Sequence, residues 1–278
     1  MHRRTLIFNK DPYTADTSLK LLSGGRYIHD LTFALKGQAT SDAILEAEDL
    51  LGLLNRIDVL LDGSPIVQLR GFDLLALNAL LGLATPHMLD STAATSDHAI
   101  VTGLKLPLAQ PARELGKIAL KCDWATVTGC DTTTLTVAET SMDNAIENAY
   151  YHMVEIPMTL AGATGFGNTI ALPQPGALVG ILFYNNDPPQ AGDTDTSISE
   201  IRLKVDGRTE IEATWQDIKQ FFPLAIADAQ VAGVNMQDCY AFLDLRDDPI
   251  PRDSSVLLDV NAGVASQAIR IIPVYRCA

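Results

Sequence analysis

Residues Asn55–Leu77, NRIDVLLDGSPIVQLRGFDLLAL, recur as Ser199–Phe221, SEIRLKVDGRTEIEATWQDIKQF, at a constant offset of 144 residues with no gap. In both copies an alternating strand runs into an Asp-Gly pair, a second strand follows, and a helix begins at an aspartate. Asp62-Gly63 matches Asp206-Gly207, and Asp73 matches Asp217. Asp-Gly between two alternating runs is the strongest short-range hairpin signal, because a type I′ turn needs positive φ at both central residues. Asp73 and Asp217 read as helix N-caps, each accepting from backbone amides that the first turn leaves unpaired. A repeat of this kind constrains the fold before any single side chain does.

A second match points the same way. YIHDLTFALKG (Tyr27–Gly37) aligns with HMVEIPMTLAG (His152–Gly162) at offset 125, with Asp30 on Glu155. The growth from 125 to 144 predicts a 19-residue insertion in the second copy. In the first of these segments, period-two spacing puts Tyr27, His29, Leu31, Phe33 and Leu35 on one face of a strand.

The rest of the chain fills in around these anchors. Ser41–Leu54 has helical spacing with Ser41 or Asp42 as cap. The helix from Asp73 to about Leu83 is apolar nearly all round, which predicts burial on more than one side. His98–Leu108, Leu115–Val127 and Thr133–Glu139 read as strands, and Asp143–Tyr151 as a short helical connection. The second half offers strands at Met153–Leu160, Asn168–Leu172 and Leu178–Tyr184, then a polar loop, Asn185–Ser199. The repeated hairpin, a helix Trp215–Ala225 and strands near Asp238–Leu245, Ser255–Asn261 and Ala268–Tyr275 complete it. The fold class is therefore all-β, with about eight short strands and one helix in each half, and the boundary between residues 1–141 and 142–278. That count with closely spaced turns predicts a sandwich or jelly roll.

Charge bears on partners. The 278 residues carry a net −14, divided as −4 over residues 1–141 and −10 over residues 142–278. Such an exterior repels nucleic acid, so no specific nucleic-acid binding is expected. The first ten residues are the local exception. His2, Arg3, Arg4 and Lys10 read either as a solvated tail around a short strand at Thr5–Phe8, or as an arm touching an anionic surface such as lipid headgroups. No run approaches the length of a membrane span, and MHRRTLIFNKDP lacks a secretory apolar core. Cys122, Cys130, Cys239 and Cys277 match no zinc spacing and read as reduced, mostly buried thiols of a chain made in a cytoplasm.

The residues do not assemble a catalytic constellation. The histidines are scattered, and the motifs of nucleophilic, phosphate-binding and zinc chemistry are missing from the sequence. GATGFGN (Gly162–Asn168) has glycines but no helix after them, so it reads as a hairpin rather than a dinucleotide site. Carboxylate pairs (Asp247-Asp248, Glu210 with Glu212, Asp193 with Asp195) suit solvated loops of an acidic protein. Asp187, Asp193 and Asp195 are candidates for a structural Ca²⁺, without the glycine and terminal glutamate of an EF-hand; no other cofactor is expected.

At the twice-used strand–Asp-Gly–strand–helix unit, the chain resembles the double jelly-roll major capsid proteins of tailless, internal-membrane-containing icosahedral bacteriophages. These are the tectivirus- and corticovirus-like members of the lineage that includes the adenovirus hexon. Leu50–Asn78, LLGLLNRIDVLLDGSPIVQLRGFDLLALN, carries the first-barrel pattern. The resemblance implies two tandem eight-stranded jelly-roll barrels, each with a short helix after the repeated hairpin. It implies a structural virion protein rather than an enzyme, made in the host cytoplasm. Three copies would form a homotrimer of pseudo-hexagonal outline that tiles with neighbouring capsomers around an internal lipid membrane, beside minor capsid or penton proteins. The apolar helix would pack partly on its own barrel and partly at the subunit contact. Asn185–Ser199 would face outward, and the basic first residues inward toward lipid. Two other classes compete: a double jelly-roll glycan or glycoprotein hydrolase, which needs a cleft with perturbed carboxylates, and a carbohydrate-binding β-sandwich. The second usually shows exposed aromatic platforms, and this chain has 6% aromatic residues and two tryptophans, Trp124 and Trp215.

Overall fold

A computed structural model describes residues 2–11, 13–22, 26–39, 50–80, 99–110, 117–126, 130–144, 149–161, 166–188, 196–219, 230–231 and 234–277. They form two compact units, residues 1–151 with 229–232 and residues 152–228 with 233–278. The chain leaves the first unit inside a strand, past residue 141, because the last strand of that unit already runs to Met142.

The first unit contains β1 (His2–Lys10), β2 (Thr17–Leu21), β3 (Tyr27–Ala39), β4 (Leu54–Leu61), β5 (Ser64–Leu69), α1 (Gly71–Leu80), β6 (Ala99–Gln110), β7 (Ile118–Trp124) and β8 (Cys130–Met142). One sheet has the order β1-β8-β3-β6, and the other runs β2-β7-β4-β5. All their pairings are antiparallel. Strands that are distant in sequence are neighbours, first with eighth and second with seventh, which is the connectivity of a jelly roll. The inner faces carry Leu31, Phe33, Leu35, Ile57, Val59, Leu120, Leu135 and Val137, all fully buried.

The second unit holds β9 (Tyr150–Val154), which begins in the first unit, then β10 (Ile156–Thr159), β11 (Asn168–Leu172), β12 (Ala177–Asn185), β13 (Ile198–Val205), β14 (Arg208–Thr214) and α2 (Trp215–Lys219). After β15 (Gln230–Val231), which belongs to the first unit, the second unit continues with β16 (Val234–Asn235), α3 (Met236–Cys239), β17 (Tyr240–Asp244), β18 (Val256–Ala262) and β19 (Ala268–Cys277). Here β10 pairs with β19, β19 with β12 and β12 with β17, while the facing sheet has the order β11-β18-β13-β14. The second unit therefore repeats the jelly roll strand for strand.

Several sequence expectations need correction. The match of Tyr27–Gly37 to His152–Gly162 joins strands that are not equivalent. Tyr27–Gly37 lies in β3, the third strand of its barrel, whereas His152–Gly162 covers β9 and β10, the first strand of the other. The counterpart of β3 is β12, so the inferred 19-residue insertion falls away. Alternating apolar strands of one fold resemble each other whatever their position, and that similarity misled the alignment. Within β3, a register shift between Ile28 and Asp30 breaks the period of two. Ile28 joins Leu31, Phe33 and Leu35 in the core, and Tyr27 and His29 do not.

Other differences are smaller. A strand at Thr17–Leu21 escaped sequence reading, because every residue in it but the half-buried Ser18 is exposed, Leu19 and Leu21 included, so it shows no apolar inward face. The expected helix at Asp143–Tyr151 ends in strand, at Tyr150 and Tyr151; its middle lies outside the described residues. Most of the expected helix Ser41–Leu54 lies outside them too, as does the end of the expected Trp215–Ala225, and Leu54 already begins β4. The start of the expected strand near Asp238 is helical, in α3.

Candidate functional site

The repeated unit has the same construction in both barrels. Element starts keep the 144-residue offset: β4 to β13, β5 to β14, and the helices at Gly71 and Trp215. Both turns have two residues in the left-handed region, Asp62 (φ 48) with Gly63 (φ 87) and Asp206 (φ 50) with Gly207 (φ 80). Both hairpins also carry a register shift at the same place, between Val59 and Leu60 and between Leu203 and Lys204.

Each turn aspartate has a second role that its sequence context does not reveal. The Asp62 carboxylate accepts from the N–H of Lys117 at 2.9 Å, and the Asp62 N–H donates to the Lys117 carbonyl at 2.9 Å. Asp206 does the same with Ser255, at 2.8 and 2.9 Å. Lys117 and Ser255 stand immediately before β7 and β18, so each turn pins the start of the strand that pairs with the first strand of its hairpin. This doubly bonded arrangement extends the strand ladder around the turn.

The helix aspartates sit one turn deeper than an N-cap. Asp73 and Asp217 are the third residues of their helices, and they reach back to the N–H of Arg70 at 2.8 Å and of Thr214 at 2.9 Å. That is the returning half of a capping box. Thr214 supplies the other half, its hydroxyl accepting from the N–H of Asp217 at 3.3 Å. The Thr214 hydroxyl, donating to the Asp217 carboxylate at 2.7 Å, and then the Thr214 N–H hold that carboxyl below the usual carboxylate range. The expected N-cap role thus belongs to the residue three positions earlier.

The helices differ in burial. In α1, Leu74, Leu75, Ala76 and Leu77 are all buried within the chain itself. Asn78 fastens it: its Nδ2 donates to the carbonyls of Leu74 and Lys105, both at 2.7 Å, and its Oδ1 accepts from the Lys105 N–H at 2.9 Å. In the shorter α2, only Trp215 and Ile218 are buried. Gly71 opens α1 because a Cβ there would meet the Leu51 carbonyl.

The basic first residues form a strand rather than a free arm. Residues His2–Lys10 pair along β8 from His2↔Met142 to Lys10↔Leu135, because their alternating Thr5, Ile7 row completes a sheet. Arg3 and Arg4 stay exposed. Lys10 bonds to Asp16 at 2.7 Å and lies 5.6 Å from the Trp124 ring centroid.

Of the calcium candidates, Asp187 is described; its N–H donates to Asn185 Oδ1 at 3.2 Å and its carbonyl accepts from Ser197. Asp193 and Asp195 lie outside the described residues. Among the described residues, no group of three or more His, Cys, Asp or Glu side chains converges to hold a metal ion.

One groove of about 420 Å³ lies in the second unit, lined by Glu210, Asp244, Asp247 and Asp248 over an apolar floor that includes Leu203, Val205 and Ile250. A glycosidase acid needs a carboxyl held above its usual range. The Arg246 guanidinium instead holds Asp244 below it. Cys122, Cys239 and Cys277 are buried free thiols, and burial beside Asp58 and Asp123 pushes the Cys122 thiol up.

One buried charge network was invisible in the sequence. Arg270 of β19 donates to Glu155 at 3.3 Å and to the Tyr240 hydroxyl at 3.1 Å, with its guanidinium 4.3 Å from the Tyr184 ring centroid. It ties β19 to β12, to β17 and to the Glu155 break between β9 and β10.

No family model matches this sequence, and no curated protein matches it. Solved structures do. The major capsid protein of the virus STIV superposes with a TM-score of 0.73 at 14% identity, covering 100% of this chain and 97% of that one. The fold is a double jelly roll. The major capsid protein P2 of bacteriophage PM2 follows at 0.63 and 12% identity, with 100% and 97% covered. A PBCV-1 VP54 structure matches at 0.58 and 9%, with 100% and 94% covered.

Proposed function

We propose that this chain is a major capsid protein, a structural subunit that builds an icosahedral shell as homotrimers of pseudo-hexagonal outline. The observation that carries this reading is the duplication itself: two jelly rolls in tandem, alike down to the bulge, the Asp-Gly turn and the helix start. A threefold assembly of a duplicated barrel presents six similar sides, so it tiles a near-hexagonal lattice from a single chain. The full-length match to STIV and PM2 capsid proteins supports it, as does the spending of the repeated polar residues on turns, caps and strand anchors rather than on chemistry.

On this reading the chain acts in the virion, with copies of itself as its main partners and minor or penton proteins at the vertices. An internal membrane beneath the shell rests on the resemblance and is tested by the lipid content of purified particles. The central test is the mass in solution by light scattering. Three times the 30.0 kDa monomer, with six-lobed outlines in electron micrographs, is expected. A strict monomer at all concentrations would overturn the proposal.

A further inference from the structure

We infer that the basic end of β1 pairs, across a contact between two copies of this chain, with the acidic outer edge of β14. The inference rests on the capsid reading and says which surfaces of the trimer meet.

β1 ends the sheet β1-β8-β3-β6, and β14 ends the sheet β11-β18-β13-β14. A terminal strand presents a row of backbone N–H and carbonyl groups with no ladder partner, a template for another strand. On β1 the uncovered part is the basic end, because Lys20 Nζ already donates to the Ile7 carbonyl at 2.9 Å. That end carries exposed Arg3 and Arg4, followed by Leu6 at 53% exposure. β14 is exposed at Arg208, Thr209, Glu210, Glu212 and Thr214.

The two edges are complementary in charge. Among the described residues neither Arg3 nor Arg4 has an ion-pair partner, and Glu210 has none either. Arg3 and Arg4 project from opposite faces of β1, since side chains alternate along a strand. One of them therefore meets the row of Glu210, which is open, and Glu212, which already bonds Arg202 at 2.7 Å, whichever way the joined sheet is turned. The acidic groove adjoins the same edge through Glu210 and adds Asp247 and Asp248, with an apolar floor able to receive Leu6.

The duplication shows that the acids of β14 are a departure. At offset 144, Glu210 stands where β5 has Ile66, which is buried, and Glu212 stands where β5 has Gln68. The second copy of the hairpin thus carries an exposed acid where the first has a buried isoleucine. A charged edge also resists pairing with its own kind, which limits association to the oppositely charged strand.

The test compares R3E/R4E, E210K/E212K and the variant combining all four, by concentration-dependent light scattering with circular dichroism to confirm folding. Each pair alone is expected to raise the trimer dissociation constant about tenfold or more, with recovery in the combined variant. Wild-type association is expected to weaken as salt rises, because the pairs lie at an exposed rim. Unchanged trimers in both reversed variants, no recovery in the combination, or salt-independent association would overturn the edge pairing and leave the capsid reading standing. A wild-type protein that stays monomeric would overturn both.

Discussion

Asp206 and Ser255 exchange two hydrogen bonds: the Ser255 N–H donates to the Asp206 carboxylate at 2.8 Å, and the Asp206 N–H donates to the Ser255 carbonyl at 2.9 Å. Asp62 and Lys117 repeat the exchange in the other barrel. The aspartate therefore joins two demands at one position, a left-handed backbone and an acceptor aimed across the sheet. Replacing Asp206 by Ala forfeits both, and a loss of about 2 kcal/mol in chemical denaturation is expected. Asp206→Asn tolerates the same φ and keeps an acceptor, so it should lose less than about 1 kcal/mol. Equal losses in the two variants would show that the side-chain bond contributes nothing.

Asn78 is the one amide in the apolar α1, and it mimics a strand by pairing with both the N–H and the carbonyl of Lys105. Asn78→Leu would leave those two backbone groups of β6 without that partner, at a cost of about 2–3 kcal/mol despite the gain in apolar volume. Thermal unfolding should register this as a lowered midpoint. Hydrogen exchange at the Lys105 amide should accelerate specifically.

The Asp259 carboxyl is buried beside the Lys204 ammonium, 2.5 Å away, and the Thr169 hydroxyl, 2.6 Å away. Burial pushes it up, but these two partners outweigh burial and hold it below the usual carboxylate range. A carboxylate depressed on folding contributes stability above its unfolded pKa and loses it as pH falls through the folded value. Unfolding midpoints should therefore drop on acidification below about pH 4, the unfolded value. In Lys204→Met, burial is left opposed by Thr169 and the weaker pull of Arg202. The variant should be less stable at neutral pH by about 3 kcal/mol and flatter in its acid dependence. An acid profile parallel to wild type would rule out the lysine as the cause.

Gly180 in β12 has no room for a side chain, since a Cβ would press into the Phe242 ring on the neighbouring β17. Gly180→Ala is expected to destabilise by about 1–3 kcal/mol through overpacking. Combining it with Phe242→Leu should recover part of that loss. Additive losses in the double variant would place the strain elsewhere.

The hairpin and helix were legible in the sequence because their information is local. Asp-Gly fixes a turn by backbone sterics, and strand alternation fixes which residues face inward. A constant offset then carries the whole unit, including its bulge, from one barrel to the other. Strand identity was not legible, because an alternating apolar segment records a face but not a neighbour. Hence Tyr27–Gly37 aligned with the wrong strand, and Thr17–Leu21, with its leucines exposed, passed unseen. The resemblance reached the fold through the helix that follows each hairpin.

What the sequence by itself determined, then, was a duplicated all-β chain with its turns and repeated helices. Tertiary structure alone decided that β1 pairs with β8 and β2 with β7, that the turn aspartates reach Lys117 and Ser255, and that the basic first residues lie in a sheet. Each of those depends on residues tens of positions apart being brought within hydrogen-bond distance, and no local pattern encodes the partner at the far end.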